Sequence, residues 1–211
     1  MDEENTKGRM NMKRLYDLVK AILNDESTHF IENGEVILSG PIEDTLPREY
    51  CYELFKPLSD EEICELRKGY RCPFPDDLAE FYRMTNGAFF FGRSISVFGV
   101  PLWSAEYKQP VALAFADGHR TKGCPKHRLF FACYNTDPEV QLFFDTREVG
   151  SPMHVYASRF GNNDVIAEWP SFEEWLICEQ KRYEEQYRNG NYRFIDIVDG
   201  VLRSISFDHC W

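Results

Sequence analysis

The side chains able to do chemistry in this chain are five histidines (29, 119, 127, 154 and 209), seven cysteines (51, 64, 72, 124, 133, 178 and 210) and several close-set acids. Cys124-Pro-Lys-His127 is the one metal-like spacing, with Cys72 and His119 as conceivable further ligands. A tetrahedral zinc site needs four converging donors, and the sequence offers one short pair. His119 near Cys124 can form a Cys–His nucleophile pair; the alternative is that 117–127 is an exposed loop rich in Gly, Lys and His. Asp76 and Asp77 adjoin, but neighbouring helix residues point about 100° apart and cannot easily share a proton. No G-x-x-x-x-G-K-[ST], no strand-to-helix G-x-G-x-x-G and no H-E-x-x-H occurs, and Gly92-Arg-Ser-Ile-Ser lacks the second glycine of a nucleophile elbow. The expectation is a protein that is not an enzyme, with no cofactor and no metal.

The charge balance narrows the classes further. The 211 residues carry 24 Lys+Arg against 35 Asp+Glu, a net charge of −11. Such a surface repels phosphate, so direct nucleic-acid binding is not expected. No apolar run approaches the roughly 20 residues that cross a bilayer, so no membrane span is expected. The start, Met1-Asp2-Glu3-Glu4-Asn5, is the opposite of a secretory signal. Seven cysteines cannot all pair, no two are spaced C-x-x-C, and free thiols suit a reducing compartment. A cytoplasmic location is expected.

The elements that must carry any site read as follows. Residues 10–24 place Leu15, Leu18, Val19 and Ile22 at helical spacing. Glu35–Leu38 and Tyr50–Phe55 read as strands. Ser59-Asp-Glu-Glu62 is a capping box opening a helix with Ile63, Leu66 and Tyr70 on one stripe. Pro75-Asp76-Asp77 opens the next helix, in which Leu78, Phe81 and Tyr82 face inward, and Asn86-Gly87 is expected to supply its left-handed exit. Apolar segments at 88–100, 129–134, 140–145 and 153–158 suit an antiparallel sheet, the first bending at Gly99. Residues 110–118 read as a short helix or a loop. Ser171-Phe-Glu-Glu174 starts a long helix with Trp175, Leu176 and Tyr183, ending at Asn189-Gly190. Residues 194–207 read as a hairpin turning at Asp199-Gly200. The order is α+β: an antiparallel twisted sheet flanked by helices, with an N-terminal helix/strand part and a C-terminal hairpin.

Taken in order, these patches resemble the SUKH superfamily, which includes the Smi–Knr cell-wall regulators of fungi. Leu58-Ser-Asp-Glu-Glu-Ile63 resembles its first core helix, and Phe74-Pro-Asp-Asp-Leu78 with Phe81-Tyr82 its L-P-x-D-[YL]-x-x-F-[LY] segment. Asn86-Gly87-Ala88 is similar to its signature before the first long strand. Phe130-Phe131-Ala132, Val140–Asp145 and Val155-Tyr156 resemble later strands, and Ser171–Leu176 its closing helix. Phe74 stands where Leu is usual, and the usual Gly-Asp pair is replaced near Asn135, Asp137 and Glu139. The implied organisation is one domain over 1–211: an N-terminal part at 1–57, a SUKH-like core at 58–178 and an extension at 179–211.

The resemblance implies a protein-binding module of the bacterial kind, an immunity protein that neutralises a cognate toxin, commonly a basic nuclease, by stoichiometric binding. The alternative it implies is a regulatory scaffold of the fungal, glucan-synthesis kind. The charge is spread, at −5, −5 and −1 over 1–57, 58–178 and 179–211. The acids Asp60, Glu61, Glu62 and Glu65 meet Asp76, Asp77 and Glu80 if the first two core helices lie side by side. The candidate partner-binding residues are Asp60, Glu61, Asp76, Asp77, Glu80, Asp145, Glu173 and Glu174. The competing reading is that they are solvated helix faces obeying the helix dipole. Asp145 has its own alternative, a turn cap with Thr146. Tyr82, Tyr134, Tyr156 and Trp175 read as a pocket lining or as core.

Overall fold

The structure is a computed structural model that describes residues 12–24, 28–30, 36–39, 50–69, 73–100, 125–135, 137, 140–148, 150–159, 164–188, 193–198 and 201–206. The expected readings at 110–118, Asp117–Cys124, Asn189-Gly190 and Asp199-Gly200 lie outside the described residues.

Apolar spacing decides the first helix. In α1 (Lys13–Asn24), Leu15, Val19 and Ile22 recur every three or four residues and are all buried, with Met12 just ahead of them. Each such burial stabilises by about 1.5–3 kcal/mol. The helix has no acid in its own first turn, which instead holds Lys13 and Arg14. Its positive end is therefore complemented from elsewhere.

The capping box at 59–62 forms as expected. The Ser59 N–H donates to Glu62 Oε2 at 2.7 Å and the Glu62 N–H to Ser59 Oγ at 3.2 Å, opening α2 (Asp60–Gly69). Pro75 precedes α3 (Asp76–Met84), whose first turn carries Asp76 and Asp77 and whose last carries Arg83. Leu78, Phe81 and Tyr82 are fully buried. The exit of α3 uses Gly87 of the expected Asn86-Gly87 pair, just past the residue that ends the helix. Thr85 ends the helix in an extended conformation, and the left-handed residue is Gly87, two positions on, at φ 81°. A Cβ at Gly87 would lie 2.9 Å from Gly99 N and Val97 O, so the close approach of two chain segments demands glycine. Asn86 completes the junction: its side chain donates to Val100 O at 2.8 Å and accepts the Val100 N–H at 2.7 Å.

Nine strands follow one another in space as they do in sequence, every neighbouring pair antiparallel. They are β1 (Thr28–Phe30), β2 (Val36–Ser39), β3 (Tyr50–Leu54), β4 (Ala88–Phe90), β5 (Ile95–Val97), β6 (Arg128–Tyr134), β7 (Val140–Asp145), β8 (Val155–Arg159) and β9 (Val165–Trp169). The N-terminal strands thus join the sheet, and β9 is a strand the apolar spacing does not announce. The segment 88–100 bends at Phe91, Gly92 and Arg93, all at positive φ (52°, 59° and 62°), instead of at Gly99.

Register sets the two faces. One row runs Leu54, Ala88, Val97, Ala132, Leu142, Ala157 and Ala167. On this face Phe90, Phe131 and Phe144 meet Phe81 of α3 and Phe172 of α4 (Phe172–Arg188), with Trp175 against Phe131. Trp175, Leu176 and Tyr183 of α4 are buried. Small residues in the strands leave room for the rings above them. The other face carries Glu53, Phe89, Ser96, Cys133, Gln141 and Ser158 in one row. β10 (Arg193–Val198) and β11 (Val201–Ser206) form a separate antiparallel hairpin in which Val198 pairs Val201. Among the described residues, the four helices and this open sheet make an α+β fold.

Candidate partner-binding surface

Helices α2 and α3 run side by side and are tied at both ends. Arg83, ending α3, bonds Asp60, opening α2, at 2.7 Å, and Arg67, ending α2, bonds Asp76, opening α3, at 2.6 Å. The two acid-rich first turns therefore sit at opposite ends of an antiparallel pair. Each is met by the other helix's terminal arginine, as the two dipoles favour. Asp60 and Asp76 remain largely exposed while paired.

Three of the expected acids are instead buried. Asp77 is 4% exposed, Glu80 7% and Glu173 7%. The Phe172 backbone N–H bonds to Asp77, whose Oδ2 has no hydrogen-bond partner among the described residues. Burial first, then the charges of Asp76, Glu173 and Glu80, push the Asp77 carboxyl up from 3.8 to about 6. Glu80 takes Arg83 Nη1 at 2.5 Å on one oxygen, and its Oε2 has no partner among the described residues. Glu173 accepts the backbone N–H groups of Arg14 and Leu15. Glu174, half-exposed, pairs with the Arg14 guanidinium. The structure thus brings Asp77 and Glu80 of α3 together with Glu173 at the start of α4, and Glu173 in turn reaches α1.

Asp145 lies apart from them, at the end of β7. It accepts the Arg147 N–H at 3.0 Å and the Arg147 guanidinium at 2.5–3.2 Å, with His127 Nε2 3.8 Å away. The Arg147 bonds hold its carboxyl below the usual carboxylate range. This is the turn-capping geometry, with Thr146 bonded to His127 O beside it.

Glu61 differs from all of these. It is exposed and has no ion pair or hydrogen bond among the described residues. It stands on the rim of an open groove of about 380 Å³ whose floor is Leu58, Leu66 and Val100 and whose other rim residues are Glu62 and Glu65. Glu62 is held by the Ser59 N–H and Glu65 by Lys68 at 2.6 Å. Glu62 and Glu65 belong to the acidic run that opens this helix, whereas Leu58, Leu66 and Val100 are residues a charge count does not single out. The signal available was the i, i+4 spacing of Glu61 and Glu65 along the edge of the Ile63/Leu66 stripe.

Neither metal nor nucleophile chemistry assembles from the described residues. No group of three or more His, Cys, Asp or Glu among them is placed to hold a metal ion. Cys124 and His119 lie outside the described residues, while His127 faces Asp145. Burial pushes the Cys133 thiol up to about 11, which suppresses the thiolate. Tyr82 and Trp175 are core, Tyr82 donating to Phe98 O and Trp175 to Tyr134 Oη. Tyr156 is half-buried and bonds Glu148. Among the described residues no helix is long and apolar enough to cross a membrane.

Residues 57–178, more than half of the chain, match the SMI1 / KNR4 family (SUKH-1). The chain belongs to the SMI1 / KNR4 family. No curated protein and no solved structure matches it. The SMI1 / KNR4 match takes in α2, α3, β4–β9 and the start of α4. Helix α1 and strands β1–β3 lie outside it, so Glu173 joins the family unit to the preceding segment. The Asn86-Gly87 junction and the groove along α2 both fall inside the match.

Proposed function

We propose that this chain is a cytoplasmic immunity protein that neutralises one cognate protein toxin, a basic nuclease domain, by tight stoichiometric occlusion without chemistry of its own. The observation that carries this reading is the exposed acid row of α2, with an unpaired Glu61, inside the family-matched region. Membership of the SMI1 / KNR4 family is consistent with a protein-binding role. A net charge of −11 suits a cationic partner, because complementary potentials raise the association rate and exclude wrong partners. The surface we assign to the partner is built on Asp60, Glu61, Asp76 and Glu174. Asp77, Glu80 and Glu173 serve the junction of α3 with the start of α4, and Asp145 its turn. We treat residues 1–211 as one domain, since one hydrophobic cluster draws on Leu15 of α1, Leu54 of β3 and Tyr183 of α4 alike.

The test is capture from the cells of origin at moderate salt, with mass spectrometry of what is retained. A single basic protein at one-to-one stoichiometry is expected. A spread of weakly held proteins would overturn the reading in favour of a regulatory scaffold, and no retained protein would overturn it outright.

A further inference from the structure

The groove along α2 combines two features that separately say little. Its floor is apolar, formed by Leu58, Leu66 and Val100, and among the described residues its lining carries three carboxylates and no cation. Leu58 and Leu66 are themselves well buried, so the floor is firm and its shape is set by the core. Glu61 and Glu65 stand one helical turn apart, about 6 Å along the axis, on one side of that floor. Gly69 also lines it, and an added Cβ there would meet nothing within 4 Å. An enclosed cavity suits a small ligand, whereas an open apolar trough with a charged rim has the anatomy of a protein interface.

The charge decides the occupant. An acidic or neutral segment would leave Glu61 unpaired against desolvation, while a cationic one supplies the missing partner. Apolar side chains at i, i+3 and i+4 with Lys or Arg beside them would meet floor and rim together. Resting on the partner-binding reading above, we propose that this groove receives a basic amphipathic segment of the protein partner. Its apolar side chains lie on Leu58, Leu66 and Val100, and its Lys or Arg side chains pair with Glu61, Glu62 and Glu65.

The probe is a fluorescein-labelled amphipathic Lys/Leu peptide, titrated with the full chain and read by fluorescence polarisation. Three variants are compared: Glu61→Lys with Glu65→Lys, the equal charge reversal Asp17→Lys with Glu185→Lys at exposed positions outside the groove, and Gly69→Trp, which puts bulk into the groove without changing charge. Circular dichroism establishes that each is folded. The expected result is binding by the unaltered chain, weakened about tenfold or more by the groove reversal and by Gly69→Trp, and by much less in the off-groove reversal. Equal losses in the two reversals would mean unspecific attraction and would overturn the proposal. So would unchanged binding in the groove variants, or no binding by the unaltered chain. If the native partner is captured equally well by Gly69→Trp, the groove is wrong while the partner reading stands; if no partner is captured at all, that reading fails on its own.

Discussion

The Glu173 carboxylate accepts the backbone N–H of Arg14 at 2.6 Å, and that of Leu15 at 3.1 Å, so the first turn of α4 caps the first turn of α1 across 159 residues of sequence. A helix that opens on Lys13 and Arg14 carries cations at its own positive end. The buried anion offsets both the dipole and two otherwise unsatisfied N–H groups. Glu173→Ala is expected to destabilise the chain by about 1–2 kcal/mol in urea unfolding. Glu173→Gln, which keeps an acceptor but no charge, should lose less. Equal loss in both variants would show that the charge contributes nothing.

Asp77 makes stability depend on pH in an unusual direction for an acid. Its carboxyl holds its proton up to about pH 6 in the folded chain but only to about 3.8 when free. The contribution of this group is therefore most favourable below 3.8 and is lost as pH rises through 6. At about 1.4 kcal/mol per pKa unit, the loss is about 3 kcal/mol. Asp77→Asn removes this loss while leaving an oxygen for the Phe172 N–H. The variant should be the more stable at pH 7.5, with the difference from the unaltered chain shrinking towards pH 4. A difference that does not change with pH would contradict the assignment.

Arg93 holds a fully buried Glu53 through Nη2 at 2.8 Å and Nε at 3.1 Å, while its own backbone sits at φ 62°. Removing the guanidinium takes its ion pair from a buried carboxylate, so Arg93→Ala is expected to cost about 2 kcal/mol or more. Arg93→Gly loses the same pair but relieves the left-handed backbone, and should be about 1 kcal/mol less damaging. Parallel thermal melts of the two variants read the backbone contribution directly.

Gly87→Ala carries both a left-handed φ and a contact of 2.9 Å to backbone on two sides. Neither neighbour is a movable side chain. A destabilisation of about 2 kcal/mol or more is expected from calorimetric melting, against less than about 1 for Gly69→Ala, which has open space.

Where local chemistry decides, the sequence was legible. The Ser59–Glu62 box and the α1 stripe each state their structure within a few residues. The bend of 88–100 was not, because Phe91 and Arg93 are held at positive φ by distant partners. Phe91 stacks on Tyr183 at 4.7 Å and Arg93 pairs with Glu53. A glycine at position 99 looked the better hinge, yet the positive φ angles of this segment lie at 91–93. Strand β9 was missed because it is a sheet edge with Val165 and Ile166 exposed, so its pattern lacks a buried face. The acids were the hardest. Asp77 and Glu80 share one helix face with the fully buried Phe81 beside them, and only the packing of α1 and α4 shows which carboxylates face inward.

The most direct test of the partner-binding account is a calorimetric titration of the captured partner into the full chain at two salt concentrations. The account predicts one-to-one binding in the nanomolar range, weakened as salt screens the complementary charges and weakened further by Glu61→Lys. Binding that is micromolar or weaker, of no fixed stoichiometry and indifferent to Glu61→Lys, would contradict it.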